Sequence, residues 1–172
     1  MPLLDTSTVL SPATFAVGPT PVAEPVLISI SGVTLLHCPR VTPAAVDAAL
    51  KSLRGFRASA RRVVWCNPAE LAAAPNSDLR QWGRRFIDVG GADAVVVEGM
   101  GARELAIAAR DAGLSLSRVV VCRDDATARN VLCDTIAAGD AILALGVSAE
   151  SCQRLAERLE SKFEREILVG SR

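Results

Sequence analysis

The sequence has no tyrosine and few other aromatic residues, since phenylalanine, tryptophan and tyrosine together make up 3% of its 172 residues. Proteins that bind single-stranded nucleic acid stack the bases on aromatic side chains, so this composition argues against that function. An excess of charge of one sign is also missing, because 19 basic residues balance 19 acidic ones. Without a basic excess the chain lacks the attraction that draws proteins to nucleic acid or to anionic membranes. We therefore expect neither as a partner.

Long hydrophobic runs and a secretion signal are missing too. No apolar run approaches the ~20 residues that span a membrane. The N-terminus carries Asp5 and no positively charged region before an apolar stretch, so a signal peptide is not expected. The five cysteines are odd in number and form no C-x-x-C pair. This pattern is typical of reduced, buried cysteines, and it predicts a cytoplasmic protein.

The chain does have enough apolar material for one folded domain, because half of its residues are hydrophobic. Five of the nine prolines lie in residues 1–25. Proline removes backbone donors, so this segment is predicted to be a Pro-rich N-terminal arm or tail, and residues 26–172 are predicted to form the domain. The arm could pack along the domain edge or mediate assembly, and a homo-oligomer is one outcome of the second role.

Short apolar segments alternate with amphipathic helical stretches from residue 26 onwards. The predicted strands are Val26–Ile30, Val33–Leu36, Val63–Cys66, Ala94–Val97, Arg118–Val121, Ala141–Leu145 and Glu166–Val169. Continuous apolar strands separated by helices are typical of parallel strands that are covered on both faces. The sequence therefore predicts an α/β fold, a Rossmann-like, doubly wound, mostly parallel sheet of about six strands with helices on both faces.

Polar residues at the helix starts predict the helix boundaries. Thr42 is expected to cap a helix that begins at Pro43. Ser77 or Asn76 is expected to cap the next long helix, and Asp124 a later one. A final helix is predicted for Ala149–Lys162.

Ligands of doubly wound sheets bind beyond the carboxyl ends of the strands, so the turns after the strands are the candidate binding segments. One of them, Gly99–Glu104, has the spacing G-x-G at the start of a helix. However, Glu104 stands where a dinucleotide-binding turn needs a small residue, so a tight strand-to-helix turn is the preferred interpretation. The sequence also lacks the G-x-x-x-x-G-K-[ST] phosphate loop.

The only histidine, His37, lies beside Cys38. Neighbouring side chains at a strand end point to opposite faces, so this pair is not expected to form a nucleophile and its base. A single histidine and the wide cysteine spacing also argue against a zinc site. We expect no catalytic residue and no metal site in this chain.

Three turns match a known pattern in the right order. Leu35–Leu50 reads L-L-H-C-P-R-V-T-P-A-A-V-D-A-A-L against I-D-D-x-Y-N-A-N-P-x-S-M-x-A-A-L, Cys66–Ala72 reads C-N-P-A-E-L-A against G-D-M-x-E-L-G, and Gly139–Val147 reads G-D-A-I-L-A-L-G-V against G-D-x-x-L-x-K-G-S. Gly83 also matches a helix glycine. About three quarters of the chain, from Gly32 to about Leu159, resembles the C-terminal domain of the Mur ligase family. The resemblance is closest to the UDP-N-acetylmuramoyl-tripeptide–D-alanyl-D-alanine ligases.

In that family this domain closes over a central ATPase domain, presents the incoming amino acid or dipeptide and contacts the nucleotide. The family chemistry needs ATP and Mg²⁺, and the phosphate cradle belongs to the central domain. Several polar positions of the family differ here, where an acid, an aromatic residue, two amides and a lysine are replaced by Leu36, Pro39, Arg40, Thr42 and Leu145. Apolar side chains supply no charge-assisted hydrogen bond. These departures predict a dismantled ligand site with no evident cofactor.

Two functions therefore follow from the resemblance. The first is a stand-alone, non-catalytic Mur-ligase-like domain that acts as a binding or assembly protein linked to peptidoglycan precursor synthesis. The second is the substrate- or nucleotide-contacting part of an ATP-dependent carboxylate–amine ligase whose ATPase domain lies on another chain or has been removed. The partner is accordingly an ATPase-domain ligase or another protein.

Three residues are the best candidates for contact with a ligand. Arg40 could meet a phosphate or carboxylate, and Asn67 and Glu70 could meet an amine or a ribose. A third hypothesis is that the chain is a nucleotide-binding domain of independent origin. This hypothesis requires the Gly99–Glu104 turn to contact phosphate.

Overall fold

The computed structural model describes residues 25–56, 61–73 and 77–170, with the side chains of 169 and 170 left out. Apart from Pro25, the predicted arm lies outside these residues. The strands are β1 (Val26–Ile30), β2 (Val33–Cys38), β3 (Arg62–Cys66), β4 (Ala94–Glu98), β5 (Val119–Cys122) and β6 (Ala141–Leu145). The helices are α1 (Pro43–Gly55), α2 (Pro68–Ala72), α3 (Leu79–Asp88), α4 (Ala102–Asp111), α5 (Asp125–Thr135) and α6 (Ala149–Gly170), with a 3₁₀ turn at Leu116–Arg118.

The six described strands form one sheet in the order β1-β2-β6-β3-β4-β5. β1 pairs antiparallel with β2 through the two-residue turn Ser31-Gly32, where both residues have positive φ angles of 43° and 86°. Such turns match the right-handed twist of the strands that they connect. The remaining pairs are parallel. The predicted α/β architecture is therefore confirmed, including the hairpin at its start.

Helices cover both faces of the sheet because successive strand residues point to opposite sides. Val64 and Cys66 of β3 pack against α1, α3 and α4 in one core. Val63 and Trp65 pack against α5 and α6 in the other. Every residue of β6 is buried, as expected for a central strand.

Side-chain caps define the helix starts, and one of the predicted caps is wrong. Thr42 caps α1 by accepting a hydrogen bond from the Ala45 amide at 3.3 Å, and Asp124 caps α5 through the Thr127 amide at 2.8 Å, both as predicted. The cap of α3 is Asp78, which accepts from the Arg80 amide at 2.9 Å. Ser77 instead accepts a hydrogen bond from the indole of Trp82 at 3.0 Å, so its hydroxyl contacts this side chain and does not cap the helix. Asn76 lies outside the described residues.

The predicted last strand, Glu166–Val169, is wrong because α6 continues through it to Gly170. No glycine or proline interrupts the segment before that point, so nothing in the sequence stops the helix. Lys162 holds α6 in place by donating to the carbonyl oxygens of Cys133 and Ile136 at the end of α5. Within the part of the chain that is described, no helix is long and apolar enough to cross a membrane.

Candidate functional site

A cleft of about 430 Å³ opens where the carboxyl ends of β2, β3, β4 and β6 meet. Its walls come from the turns after these strands and from the first turns of α5 and α6. The polar side chains that line it are Asn67, Glu70, Glu98, Asp125, Ser148 and Ser151. This is the edge of the sheet where doubly wound proteins bind ligands, so we take it as the candidate site.

A close approach between two turns places Glu70 in the cleft. Gly146 follows β6 with a φ of +65°, and a Cβ built on it would lie 2.7 Å from the Cβ of Glu70 and 2.9 Å from the carbonyl oxygen of Asn67. Only glycine fits both this backbone conformation and this contact. The backbone N–H of Asn67 also donates a hydrogen bond to the carbonyl oxygen of Leu145 at 3.0 Å. The turns after β3 and β6 are thereby held together as one wall.

Glu98 brings a carboxyl group to the floor of the cleft at the end of β4. Only 3% of its surface is exposed, and its Oε2 accepts a hydrogen bond from the indole Nε1 of Trp65 at 3.1 Å. Burial raises the pKa of Glu98 above its usual value, and the Trp65 hydrogen bond partly opposes that effect. The negative charges of Asp125 and Asp124 raise the pKa further, while Arg129 lowers it.

A chain of polar contacts forms the opposite wall. Arg129, whose side chain is 10% exposed, pairs with the Oδ2 of Asp125 at 2.5 Å and donates to the hydroxyl of Ser151 at 3.2 Å. Ser148 donates to the same hydroxyl at 3.1 Å and accepts from the Ser151 amide, which caps the start of α6. The Oδ1 of Asp125 is buried and has no hydrogen-bond partner in the described part of the protein. A buried acceptor without a partner costs about 1–3 kcal/mol.

His37 and the cysteines serve the structure. The Nε2 of His37 donates to the carbonyl oxygen of Val147 at 3.0 Å, which ties the end of β2 to the cleft wall. The Cys38 thiol points elsewhere and donates to the Arg40 carbonyl oxygen. All five cysteines are free and buried, as predicted. Burial raises the pKa of each thiol, in the case of Cys152 to about 12, so none is a ready nucleophile at neutral pH.

The structure brings together two of the three candidate residues of the sequence. Asn67 and Glu70 both line the cleft, and the Oδ1 of Asn67 also caps α2 by accepting from the Ala69 amide at 3.1 Å. Arg40 is exposed on the turn after β2, where its neighbours Pro39 and Val41 line the cleft instead. Ligand contact by these residues stays a prediction.

Sequence reasoning missed the buried polar groups of the site. Arg129 and Ser151 lie inside helices and not in the turns that follow the strands. Their signal in the sequence is their spacing, because Arg129 follows Asp125 by four residues and Ser151 follows Ser148 by three. Asp140, in the turn before β6, forms a 2.7 Å ion pair with Arg61.

Three of the five replaced family positions, Leu36, Thr42 and Leu145, have structural roles in this chain. Leu36 and Leu145 are buried in the core under α1. Thr42 caps α1, as described above. The Gly99–Glu104 segment is a tight turn, because Gly101 has a φ of +81° and a Cβ there would lie 2.8 Å from the Leu79 side chain. The positive φ angles of Gly99 and Gly101, +74° and +81°, therefore account for both glycines without a ligand.

Comparison with solved structures identifies the fold. A domain from a Haemophilus ducreyi protein, described as a UDP-N-acetylmuramate:L-alanyl-gamma-D-glutamyl-meso-diaminopimelate ligase, superposes with a TM-score of 0.56 at 16% identity, over 79% of this chain and 99% of that one. MurF from Acinetobacter baumannii gives a TM-score of 0.59 at 16% identity, over 79% of this chain and 30% of MurF. This chain has the fold of a Mur ligase domain.

A murein peptide ligase from Psychrobacter arcticus has the same Mur-ligase-like domain, with a TM-score of 0.57 at 18% identity over 80% of this chain and 29% of that one. The chain thus spans about 30% of the length of MurF. No protein-family profile and no curated protein sequence matches the chain. At these identities the likeness concerns the fold, and the activity has to be argued from the cleft.

Proposed function

We propose that this chain is a non-catalytic, Mur-ligase-like binding domain whose cleft holds a small ligand with a protonated amine, such as an amino acid or a short peptide. The observation that carries the proposal is the charge of the cleft. Its ionisable lining residues are Glu70, Glu98 and Asp125, which are all carboxylic acids. The nearby Arg129 is already paired with Asp125. An ammonium group would be attracted to this surplus of negative charge.

The hydrogen-bonding capacity of the cleft supports the same ligand class. An ammonium group has three donors and no acceptor. The cleft offers the carboxylate of Glu70 and the amide oxygen of Asn67 as acceptors. A volume of about 430 Å³ suits a small molecule. Charge-assisted hydrogen bonds of this kind are about twice as strong as neutral ones.

Two features support a role without ligase chemistry. The sequence has no phosphate loop, which amide formation through an acyl phosphate requires for ATP. Leu145, at the position of the lysine in the family pattern, is fully buried. A link to peptidoglycan precursor synthesis is the corresponding biological proposal, and the five free, buried cysteines support a cytoplasmic location.

A second candidate function is the substrate-contacting part of an ATP-dependent amide-forming ligase. The observation in its favour is that the chain matches one domain of the longer MurF structures, one of which, from Thermotoga maritima, is a complex with ADP. In that case ATP and Mg²⁺ would be held largely by a partner chain that carries the ATPase domain. Binding of the amine ligand in the cleft is common to both candidates.

An NMR titration of the full ¹⁵N-labelled chain with D-alanyl-D-alanine tests the proposal. Saturable shifts are expected for the amides of Gly146 and Ser148 and for the Trp65 indole, which reports on Glu98. N-acetyl-D-alanyl-D-alanine, which has the same backbone but no charged amine, should leave these signals in place.

The substitution Glu70→Gln should lower the affinity for the dipeptide by about tenfold, because it removes a negative charge and keeps the shape of the side chain. The matched control is Glu160→Gln, an exposed glutamate on α6 outside the cleft. Equal binding of the acetylated peptide, or equal losses in both variants, would refute amine recognition in the cleft.

A further inference from the structure

A second, larger groove of about 880 Å³ lies beside the carboxyl end of β5. One side is formed by Val121, Cys122 and Arg123 at the end of β5, and the other by the first turns of α4. None of its lining residues belongs to the cleft described above. The function proposed above for the cleft does not involve this groove.

Apolar side chains are exposed along the groove. Val121 is 53% exposed and Ile107 is 44% exposed, although both are large hydrophobic residues. Met100, on the turn between the groove-lining Gly99 and Gly101, is 84% exposed. Adjacent exposed apolar side chains on a soluble domain are typical of a surface that another molecule covers.

Positive charge surrounds this apolar strip. Arg80, Arg103 and Arg123 line the groove, against one acidic residue, Glu104. Arg80 lies 3.6 Å from Glu104, and its side chain is 77% exposed. Arg123 is 94% exposed and lies 4.0 Å from Asp124. These loose ion pairs leave the guanidinium groups available for new partners.

β5 is the last strand of the sheet and pairs only with β4 among the described residues. The outer edge of such a strand presents backbone donors and acceptors that an extended chain can pair with. The groove therefore combines an apolar strip with a basic rim, and it adjoins a strand that has no described partner on its outer edge.

We propose that this groove, at the edge formed by β5 and α4, binds an extended segment of a protein partner that alternates acidic and apolar residues. The segment would add to the sheet along β5. Its apolar side chains would cover Val121 and Ile107, and its carboxylates would meet the three arginines. Arginine is among the residues that contribute most of the binding energy at protein interfaces, and methionine is also enriched there. This inference is independent of the ligand proposed for the cleft.

The exposure of the groove residues distinguishes a protein segment from a small anion. A phosphate site holds its ion with buried, preorganised donors, whereas these arginine side chains extend into solvent. A small anion would also leave Met100, Ile107 and Val121 exposed to water. An acidic, apolar segment accounts for both the charge and the apolar strip.

Fluorescence anisotropy of the full chain with a dye-labelled peptide of alternating glutamate and valine tests the proposal. The same peptide with lysine in place of glutamate is the charge control, and it should bind at least about tenfold more weakly. The double variant Arg103→Ala/Arg123→Ala should lose about tenfold in affinity and show a flatter dependence on salt. Arg110→Ala, an exposed arginine on α4 outside the groove, should bind like the wild type.

Several results would overturn the proposal. No saturable binding of the acidic peptide at millimolar concentration would do so, as would equal binding of the lysine peptide or an equal loss in Arg110→Ala. Displacement of the peptide by millimolar inorganic phosphate would indicate a small-anion site instead. If analytical sedimentation showed that the chain is a dimer, and if Val121→Glu converted it to a monomer, the groove would be assigned to a second copy of this chain.

Discussion

Asp140 is the buried carboxylate that anchors the turn before β6. Its Oδ1 accepts from the Arg61 amide at 3.0 Å, and its Oδ2 accepts from the Arg61 guanidinium at 2.7 Å and from the Ala137 amide at 3.0 Å. Asp140→Ala would leave these donors without an acceptor, so we expect a loss of about 3 kcal/mol in the free energy of unfolding. Urea unfolding measures this loss. Asp111→Ala, at an exposed position of α4, should change stability by less than about 0.5 kcal/mol, and similar losses in both variants would contradict the assignment.

The raised pKa of Glu98 predicts a pH-dependent contribution to stability. The folded state binds a proton at Glu98 more tightly than the unfolded state, whose pKa stays near the ordinary value of 4.5. The stability that this proton contributes is complete below that value and is lost as the pH rises through the folded pKa. Glu98→Gln keeps an acceptor for Trp65 and removes the ionisation. The difference in Tm between this variant and the wild type should therefore grow in favour of the variant as the pH rises from acidic to neutral. A difference in Tm that does not change with pH would show that folding does not raise the pKa of Glu98.

Single residues also show what the sequence could and could not predict about the site. Asn67 and Glu70 were predicted because they belong to the segment that follows a strand, and both line the cleft. Glu98 was not singled out as a site residue, because its burial and its hydrogen bond to Trp65 depend on a residue 33 positions earlier. Contacts of that range have no local signal in one sequence.

At the scale of secondary structure, Gly83 allows α3 and α4 to approach each other. A Cβ at this position would lie 2.6 Å from the Cβ of Ala108 and 2.7 Å from the carbonyl oxygen of Leu105. Gly83→Ala should therefore destabilise the protein by about 1–3 kcal/mol, although alanine favours a helix by about 1 kcal/mol. The matched control is Gly55→Ala at the end of α1, where a Cβ meets no described atom within 4 Å. A stabilised Gly83→Ala variant in thermal unfolding would contradict the close packing.

The elements themselves were predictable where a local signal existed. Short apolar runs that alternate with amphipathic stretches predicted β1 to β6, and Thr42 and Asp124 predicted two helix starts. The prediction failed at Glu166–Val169, because a short run of β-branched and aliphatic residues has no distinct period and the preceding helix simply continues. The short helix α2 was also missed, since its five residues are too few for a helical period.

At the scale of the whole molecule, the sheet places two unlike surfaces at the carboxyl ends of its strands. The acidic cleft lies over β2, β6, β3 and β4, and the basic, apolar groove lies beside β5. Their opposite charge is consistent with a balanced total of 19 acidic and 19 basic residues. Total charge alone could not reveal this separation, because it depends on which turns the fold brings together.

The central claim, an amine-binding cleft without ligase chemistry of its own, is tested most directly by thermal-shift titration of the purified chain with D-alanyl-D-alanine and, separately, with Mg-ATP. A ligand that binds only the native state adds about 2.7 kcal/mol of stability at about 100 times its Kd. We expect a saturable rise in Tm with the dipeptide that Glu70→Gln diminishes, and no rise with Mg-ATP alone. A saturable rise with Mg-ATP and none with the dipeptide would contradict the account.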